Sequence, residues 1–445
     1  MASHQGIKKA TYALRLMRDM FMPYFCGMPN TAPPEHPNSP FAAVRLKEFR
    51  LYVIQRFFFT MAMRMIVTVI AWKMYLITKN PLAIAFIGLS EAVPAILMAL
   101  YSGHIVDKSD KRTLILRLII LYGVCAGGLM FAALPFTETT WGKSFVQYSI
   151  YTVMFCTGVL RSFIGPSTVS IMAQLVPRNT LPNAVTWSSG TYLTASVTGH
   201  ATAGFLIAYV GYTGTFTLIL VYLAISALCM YQLSPQPVVH TNTSQKTWES
   251  VKEGLQFVFR TKELLGALLL DMLAVLFGGA VAMIPFFAGD ILHAGAIGFG
   301  WLNAAADIGS MAAIVTLTLR PLRKKQGARL MLAVAGFGLC IIVFGLSKIY
   351  LLSFMALLLS GALDGISVVI RGTILQLTTP DHMRGRVSSV NSMFINSSNE
   401  IGYFESGLTA KLMGIVPSVV FGGAMTLLVV TGMWFRAPAV RKFEY

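Results

Sequence analysis

Charge is scarce in this sequence, and acidic charge is scarcer than basic. Of its 445 residues only 12% are Asp, Glu, Lys or Arg, whereas a soluble domain has about 25%. The 18 acidic residues are outnumbered by 35 basic ones, so the formal net charge is +17. Hydrophobic residues make up 55% of the chain, and its mean hydropathy is +0.66. This composition excludes an ordinary soluble domain and favours a helical membrane protein.

Several classes of function lack the residues that they need. The five cysteines are scattered, with neither metal-ligand spacing nor the pattern of a disulfide framework. The nucleotide-binding loop G-x-x-x-x-G-K-S/T is absent, which argues against ATP-driven pumping by this chain alone. No nucleophile, base or metal ligands are clustered, so we predict neither an enzyme nor a metal site. Residues 1–48 lack the apolar core of a cleavable signal peptide.

Long apolar runs take up most of the chain. A run of about 20 residues is enough for one helix to cross a bilayer. The segments of about 10 alternating residues that a membrane β-barrel needs are absent. Six runs precede and six follow a polar stretch, and we number them as predicted helices 1 to 12. They lie at about 51–76, 82–102, 113–135, 145–175, 184–209, 213–232, 263–287, 295–318, 329–346, 350–378, 388–413 and 415–435.

This pattern divides the chain into five parts. Residues 1–48 form a basic cytoplasmic N-terminal tail, and 49–232 form a first half of six helices. Residues 233–262 form a cytoplasmic linker, which we expect to contain an amphipathic helix because its apolar residues recur near one helical face. A second half of six helices occupies 263–435, and 436–445 form a cytoplasmic tail.

The basic residues predict the orientation of the chain. Loops on the cytoplasmic side of a membrane protein carry an excess of Lys and Arg. With the N-terminus inside, 26 of the 35 basic residues lie in the tails and inner loops, and only 4 lie in outer loops. This asymmetry predicts that both termini are cytoplasmic. It also explains the positive net charge without a nucleic-acid partner.

The two halves carry a weak internal repeat. With an offset of 203 residues, 158–204 aligns with 361–407, and seven positions are identical. Four of the seven are glycine or proline, residues that mark turns and close helix packing. The same alignment pairs Arg161 with Asp364, which reverses the charge at equivalent positions.

Three stretches resemble signatures of the major facilitator superfamily. Residues 103–112, Gly-His-Ile-Val-Asp-Lys-Ser-Asp-Lys-Arg, resemble its signature between helices 2 and 3. Residues 379–387, Thr-Pro-Asp-His-Met-Arg-Gly-Arg-Val, resemble the stretch that follows helix 10. Residues 199–204 resemble the helix 5 motif of the exporters, although His200 stands where a proline is usual. The resemblance covers about 49–435 and is strongest to the enterobactin-exporter-like, drug:proton antiporter branch.

The resemblance implies an all-α membrane protein with twelve transmembrane helices in two pseudo-symmetric six-helix bundles. It implies a secondary active transporter, most simply one that couples protons to efflux of a siderophore or drug by alternating access. Such a protein needs no cofactor, because the proton gradient drives it. We expect a monomer in the bacterial inner membrane, with the lipid bilayer and a small-molecule substrate as partners. The alternatives are uptake of an organic anion or a lysophospholipid, or a membrane sensor that transports nothing.

Charged residues within the apolar runs are the candidates for chemistry. An ionised side chain at the bilayer centre costs about 2.5–3.5 kcal/mol or more, so it needs a function or a partner. For the substrate cavity we predict Arg56, Arg64, Arg161 and Asn396. For proton coupling we predict Glu91, Asp271, Asp307, Asp364, Arg371 and Glu400. His200 is either a proton relay or a packed polar residue.

Two of these predictions leave an alternative open. Arg56 and Arg64 would favour an anionic substrate, unless Glu91 or an acid of predicted helix 11 neutralises them. Arg161 either lines the cavity or belongs to a structural ion pair.

The loop at 103–112 suggests a cytoplasmic gate. The gate residues that we predict are Gly103, Asp107, Lys111, Arg112, Arg384 and Arg386. We expect Gly103 to permit close approach of predicted helix 2 to predicted helix 11, which would hold the cytoplasmic side shut in the outward-open state. We expect Asp107 to pair with Lys111 or Arg112 and to face the start of helix 11, where the helix dipole favours an anion.

Overall fold

A computed structural model describes residues 40–235, 247–320, 322, 324–380 and 383–444, which are almost entirely helical and contain no strand. The predicted tail therefore lies outside the described residues up to residue 39, as do 236–246 of the linker, Asp381 and the side chain of Asp107. The first half consists of α1 (Lys47–Thr78), α2 (Pro81–Lys108), α3 (Lys111–Ala133), α4 (Pro135–Leu175) and α5 (Leu181–Gln232).

The helix α5 contains two membrane crossings. Its 52 residues would extend about 78 Å as one straight helix, whereas a bilayer core is about 30 Å thick. Gly211, with φ 67° and ψ −171°, interrupts the helix and reverses the chain between the two crossings. A non-glycine residue strongly disfavours this conformation, which explains the glycine at the turn. Gly142 similarly separates a short first segment of α4 from its membrane-crossing part.

The second half follows an amphipathic linker helix, α6 (Thr247–Arg260). Its membrane helices are α7 (Lys262–Phe277), α8 (Gly295–Leu319), α9 (Gln326–Leu346), α10 (Tyr350–Thr378), α11 (Arg384–Met413) and α12 (Ile415–Arg436), and a short α13 (Pro438–Arg441) ends the chain. An irregular helical segment extends α7 across Ala280–Met283, Ile284–Phe286 and Phe287–Ile291.

Nine helical segments in the described residues are long and apolar enough to cross a membrane. One of them is the segment that contains both crossings of α5. The helices α4 and α11 do not meet this criterion, and they carry the charged residues that join the two halves. With them, the protein has twelve transmembrane helices in two bundles of six, as the sequence predicted.

Packing contacts repeat between the two halves at glycines that are 203 residues apart. Gly158 of α4 lies so close to the backbone carbonyl of Glu91 in α2 that an added Cβ would overlap it. Its counterpart Gly361 of α10 lies in the same way against the carbonyl of Ala306 in α8. The weak sequence repeat therefore corresponds to a real structural repeat.

A second glycine pair joins the halves to each other. Gly204 of α5 packs on the backbone of Gly300 in α8, and Gly407 of α11 packs on Ala85 of α2. The interfaces α2/α11 and α5/α8 are thus equivalent by the internal symmetry. Because close backbone contact needs small residues, these glycines position the two interfaces.

The contacts between the halves lie toward the side of the membrane at which α1 ends. Twelve crossings place the start of α1 and the end of α12 on the same side, which we call the terminal face. The helix α1 ends at the opposite face, where Trp72 stacks on Phe299 of α8 and Tyr75 packs on Phe286, at 5.3 and 5.1 Å between ring centroids.

The close contact predicted at Gly103 for the outward-open state is not formed in this conformation. An added Cβ at Gly103 meets no atom within 4 Å, whereas at Gly407 it would overlap Ala85 of α2. The two helices do pack together, but they do so near the opposite face, where α2 begins and α11 ends. Gly103 lies near the other end of α2, at the terminal face, so it does not take part in this contact.

Candidate functional site

An ion cluster joins the halves at the α2/α11 interface. Arg161 of α4 contacts Glu91 of α2 at 3.2 Å and Glu400 of α11 at 2.8 Å. The glycine contact one turn earlier, at Gly158, brings α4 against α2, and an added Cβ at Gly88 of α2 would lie 3.3 Å from a Glu400 oxygen. Arg161 thus bonds to both halves at once. The structure thus shows the ion pair that the sequence analysis left open for Arg161, whose side chain is 40% exposed.

The charges in this cluster do not balance. It contains two carboxylates and one guanidinium group, so with both acids ionised it has a net charge of −1. A single proton on Glu91 or Glu400 would make the cluster neutral, and a proton on Glu400 would remove the charge from the bond between the halves.

A second polar cluster lies at the α5/α8 interface. The carboxylate of Asp307 in α8 accepts a hydrogen bond from the hydroxyl of Ser196 in α5 at 2.5 Å. The same oxygen lies 3.8 Å from Nε2 of His200. The other ring nitrogen of His200, Nδ1, lies 2.7 Å from the hydroxyl of Thr68 in α1. The structure thus brings Asp307 and His200 together, with two hydroxyl partners that the sequence analysis missed.

The two arginines of α1 surround one tyrosine. The guanidinium groups of Arg56 and Arg64 lie 5.8 and 5.4 Å from the ring centroid of Tyr192 in α5. Arg64 also donates a hydrogen bond to the Tyr192 hydroxyl, and Arg56 donates one to Tyr52 at 3.1 Å. In the described part of the chain, neither arginine has a carboxylate oxygen within 4.0 Å.

The alternative that Glu91 or an acid of helix 11 neutralises these arginines is therefore wrong as a direct ion pair. Glu91 and Glu400 contact Arg161 instead. The Nε atom of Arg56 is buried and has no hydrogen-bond partner in the described structure. The fourth predicted cavity residue, Asn396, is exposed on α11, one turn before Glu400.

Three more of the predicted coupling residues lie in the second half. Asp271 of α7 and Arg371 of α10 form a buried ion pair. Asp364 is half-buried on α10, two turns before Arg371. Because α7 and α10 are both in the second half, this pair does not join the two halves as the Arg161 cluster does.

The loop between α2 and α3 is held by local contacts. Asp110 caps α3 by accepting hydrogen bonds from the backbone nitrogens of Arg112 and Thr113, at 3.3 and 3.1 Å. The Arg112 guanidinium group donates to the carbonyls of Met230 and Tyr231, at the end of α5. Arg112 therefore ties α3 to the sixth crossing. The side chain of Asp107, for which we predicted a pairing with Lys111 or Arg112, lies outside the described residues.

The other predicted gate residues lie at the terminal face as well. Lys111 donates to the carbonyl of Ser109 at 3.0 Å. Arg386 forms an ion pair with Glu253 of α6, and so attaches the linker helix to the start of α11. Arg384 is exposed at the first position of α11.

At the opposite face, the structure shows ion pairs that the sequence analysis missed. Asp290 accepts hydrogen bonds from Tyr75 at 2.6 Å and from Lys79 at 2.9 Å. Lys73 pairs with Glu138 at 2.7 Å. The partners of Tyr75 and Lys79 are more than 200 residues away in sequence, so no local pattern could reveal them.

Comparisons with known proteins place the chain in a family. A family model described as a transmembrane secretion effector matches residues 38–444. The chain belongs to the major facilitator superfamily. Its fold and family are those of multi-pass membrane transporters for small molecules, which are not enzymes. Within the described residues, no three His, Cys, Asp or Glu side chains are grouped as a metal ion would require.

Curated members of the superfamily align with most of this chain. The enterobactin exporter EntS of Escherichia coli O1:K1 is 26% identical over 352 residues, which cover 77% of this chain and 80% of the exporter. The enterobactin exporter EntS of Shigella boydii serotype 18 is 25% identical over 350 residues, with the same coverage of both chains.

Solved structures of transporters share the fold. A D-xylose–proton symporter superposes with a TM-score of 0.69 and 12% identity, over 89% of this chain and 99% of the symporter. The nucleoside transporter NupG superposes with a TM-score of 0.68 and 14% identity, over 88% of this chain and all of NupG. At these identities the likeness shows the fold alone.

Proposed function

We propose that this protein is a proton-coupled exporter of a small organic anion in the bacterial inner membrane. The observation that carries the proposal is the Arg161 cluster, in which one arginine bonds to an acid of each half. Alternating access requires the halves to rock about a site between them. An ion pair across that boundary, which a proton can release, is the kind of element that couples protonation to rocking.

The present conformation supports a particular order of steps. The halves contact each other toward the opposite face, and the Lys and Arg distribution predicts that the terminal face is cytoplasmic. In this cytoplasm-facing state Arg161 is bonded to Glu400. We infer that the approach of Arg161 displaces a proton from Glu400 toward the cytoplasm. In the outward-facing state the pair would separate, and Glu400 would take up a proton from outside.

Arg56 and Arg64 support an anionic substrate. Both are cationic, neither contacts a carboxylate in the described structure, and both lie beside the Tyr192 ring. A guanidinium group binds carboxylates and similar anions through paired, charge-assisted hydrogen bonds. An aromatic substrate could also stack beside Tyr192. The name of the curated relatives, enterobactin exporter, suggests a siderophore as the substrate class.

The proposal includes the remaining expectations. Both termini would lie in the cytoplasm, the proton gradient would supply the energy, and no cofactor would be needed. The chain would work as a monomer, because both polar clusters are formed within one chain.

The direct test is transport in sided vesicles with an imposed pH gradient. Inside-out vesicles with an acidic interior should accumulate labelled enterobactin in their lumen, and a protonophore should abolish the accumulation. In Glu400→Gln the side chain keeps its shape but cannot release a proton. We expect this variant to lose the dependence of transport on the gradient while still exchanging labelled for unlabelled substrate.

Glu405→Gln is the matched control. Glu405 is half-buried on the same helix, and it has no ion pair within the described residues. This variant should retain gradient-driven accumulation. If Glu400→Gln accumulates substrate as the wild type does, the Arg161 cluster is not the coupling site. If accumulation requires the reverse gradient in the wild type, the direction is uptake and the export proposal fails.

A further inference from the structure

The α5/α8 interface contains a buried histidine that the proposed mechanism does not use. The His200 side chain is only 8% exposed, and it faces Asp307 in the other half of the protein. Thr68 and Ser196 complete its polar surroundings, with hydroxyls 2.7 Å from His200 Nδ1 and 2.5 Å from the Asp307 carboxylate. This imidazole is buried between the two halves of the protein. Its contacts bear on which ring nitrogen carries the proton.

The two contacts of the Thr68 hydroxyl favour one tautomer of His200. A threonine hydroxyl has a single proton to donate. In this structure it donates to the backbone carbonyl of Arg64 at 3.0 Å. The contacts of this hydroxyl to the carbonyl and to Nδ1 of His200 are both hydrogen bonds only if it accepts at Nδ1, and in that arrangement Nδ1 carries the ring proton. In the neutral ring, Nε2 is consequently a bare acceptor.

This bare nitrogen faces another acceptor. Nε2 of His200 lies 3.8 Å from an Asp307 carboxylate oxygen, and that oxygen already accepts the Ser196 hydroxyl. Two acceptors with no hydrogen between them repel each other, and 3.8 Å is too long for a hydrogen bond. One added proton on Nε2 would convert the repulsion into a charge-assisted hydrogen bond. The pair can therefore take up one proton, at Nε2 of His200.

We propose that His200 and Asp307 together bind one proton, at a site separate from the Arg161 cluster, and that this proton fastens α5 to α8. The proton comes from water and adds to Nε2, so the step needs no other reactant. The charged groups close to His200 in the described structure are Arg64 of α1 and Asp307 of α8. Tyr192, on its own helix, holds the Arg64 guanidinium group by a hydrogen bond.

The site changes what one transport cycle would carry. This consequence rests on the proposed function, whereas proton binding by the pair does not. With the Arg161 cluster alone, one proton would be exchanged per cycle. With the His200–Asp307 site as well, two would be exchanged, one at each of the two symmetry-related interfaces.

Nitrogen NMR of the histidine ring tests the site directly. The full chain, labelled with 15N-histidine and held in nanodiscs, contains seven histidines, and His200→Asn identifies the His200 resonances by their loss. At high pH we expect a protonated Nδ1 and a bare Nε2. On acidification the Nε2 resonance should shift to the protonated position while Nδ1 stays protonated.

Asp307→Asn should weaken proton binding, because the amide removes the negative charge that faces Nε2. We expect the titration midpoint of His200 to fall by about one pH unit or more, which is a tenfold loss of proton affinity. Glu400→Gln, in the other cluster, should leave the midpoint unchanged. Ser196→Ala, which keeps the carboxylate, should retain the titration and guards against a folding defect in Asp307→Asn.

The proposal is overturned if Nε2 carries the proton at high pH, or if His200 does not titrate between pH 4 and 9. It is also overturned if Asp307→Asn leaves the midpoint where it was. These readouts need no substrate, so they remain informative if the export proposal fails. Conversely, normal gradient-driven export with an untitrated His200 would remove the second site and leave the first.

Discussion

The interfaces α2/α11 and α5/α8 have the same backbone packing but different chemistry. In each, a glycine of one half lies against the backbone of the other, Gly407 on the carbonyl of Pro81 beside Ala85, and Gly204 on Gly300. At α2/α11 the polar groups are two acids and an arginine that is always charged. At α5/α8 they are one acid, two hydroxyls and a histidine that is charged only after it binds a proton.

This difference shows that close helix packing and the choice of polar groups are separate requirements on the interfaces. Small residues are needed on both sides because the helices must approach closely, and the repeat preserved them. The polar groups can diverge because any set that satisfies its own hydrogen bonds is tolerated. The position that is Arg161 in α4 is Asp364 in α10, so the two halves differ in charge where they agree in packing.

The largest expected effect is the removal of the arginine from the α2/α11 interface. Arg161→Met leaves Glu91 and Glu400 without a counter-ion between the two halves. Leaving one buried charge unpaired costs about 3–5 kcal/mol, and the partial exposure of Arg161 reduces this figure. We expect transport to fall by about 100-fold or more, which corresponds to about 3 kcal/mol. The measurement is the initial rate of labelled substrate uptake by inside-out vesicles.

Arg161→Lys, which keeps the charge, should recover part of that rate. Asp307→Asn at the other interface should have a smaller effect, because the new amide still accepts from Ser196. Equal losses in Arg161→Met and Asp307→Asn would contradict the difference that we draw between the interfaces.

A middle-sized effect is expected at Gly158 and Gly361, where the two halves agree in their packing. Gly158→Ala and Gly361→Ala each place a methyl group against a backbone carbonyl of the neighbouring helix. Forcing one extra carbon into such a packed contact costs about 1–3 kcal/mol. We expect both variants to lower the thermal unfolding temperature of the purified protein by similar amounts.

The control for this pair is Gly165→Ala, on the same helix as Gly158. An added Cβ there meets no atom within 4 Å, and alanine favours a helix over glycine by about 1 kcal/mol. This variant should therefore be no less stable than the wild type. A loss of stability in only one of the two packed variants would mean that the halves are not packed alike.

The smallest effect is expected at the opposite face, outside both clusters. Lys79 and Asp290 are about half exposed and lie 2.9 Å apart. An exposed ion pair contributes about 0–1 kcal/mol, and salt screens it. Lys79→Gln should lower the unfolding temperature slightly at low ionic strength and not at all in 1 M salt. A large effect that persists in salt would show that this pair matters as much as the clusters do.

Much of the fold could be predicted because its signals are local. The apolar runs predicted every crossing, and Gly211 separates the two that share α5. The repeat was visible through glycines such as Gly158 and Gly361, because close packing leaves few alternatives at those positions. Gly103 shows the limit of such signals, since a small residue shows that close approach is allowed but not in which conformation or where along the helix it occurs.

The candidate site was predictable as a set of residues but not as a set of pairs. A charge inside an apolar run stands out, so Glu91, Arg161 and Glu400 could all be identified. Which of them meet depends on how the helices pack, since Arg161 and Glu400 are 239 residues apart. The hydroxyls of Thr68 and Ser196 gave no signal at all, because threonine and serine are common in membrane helices.

The sequence by itself therefore determined that this protein crosses a membrane, which parts cross it, and which charges lie within those parts. The reason is that each residue contributes its own free energy of burial in lipid. Only the tertiary structure decided that Arg161 bonds to both halves while Arg56 and Arg64 contact no acid in the described chain. It also decided that His200 faces Asp307. These outcomes depend on distances between helices, and such distances are set by packing across the whole chain.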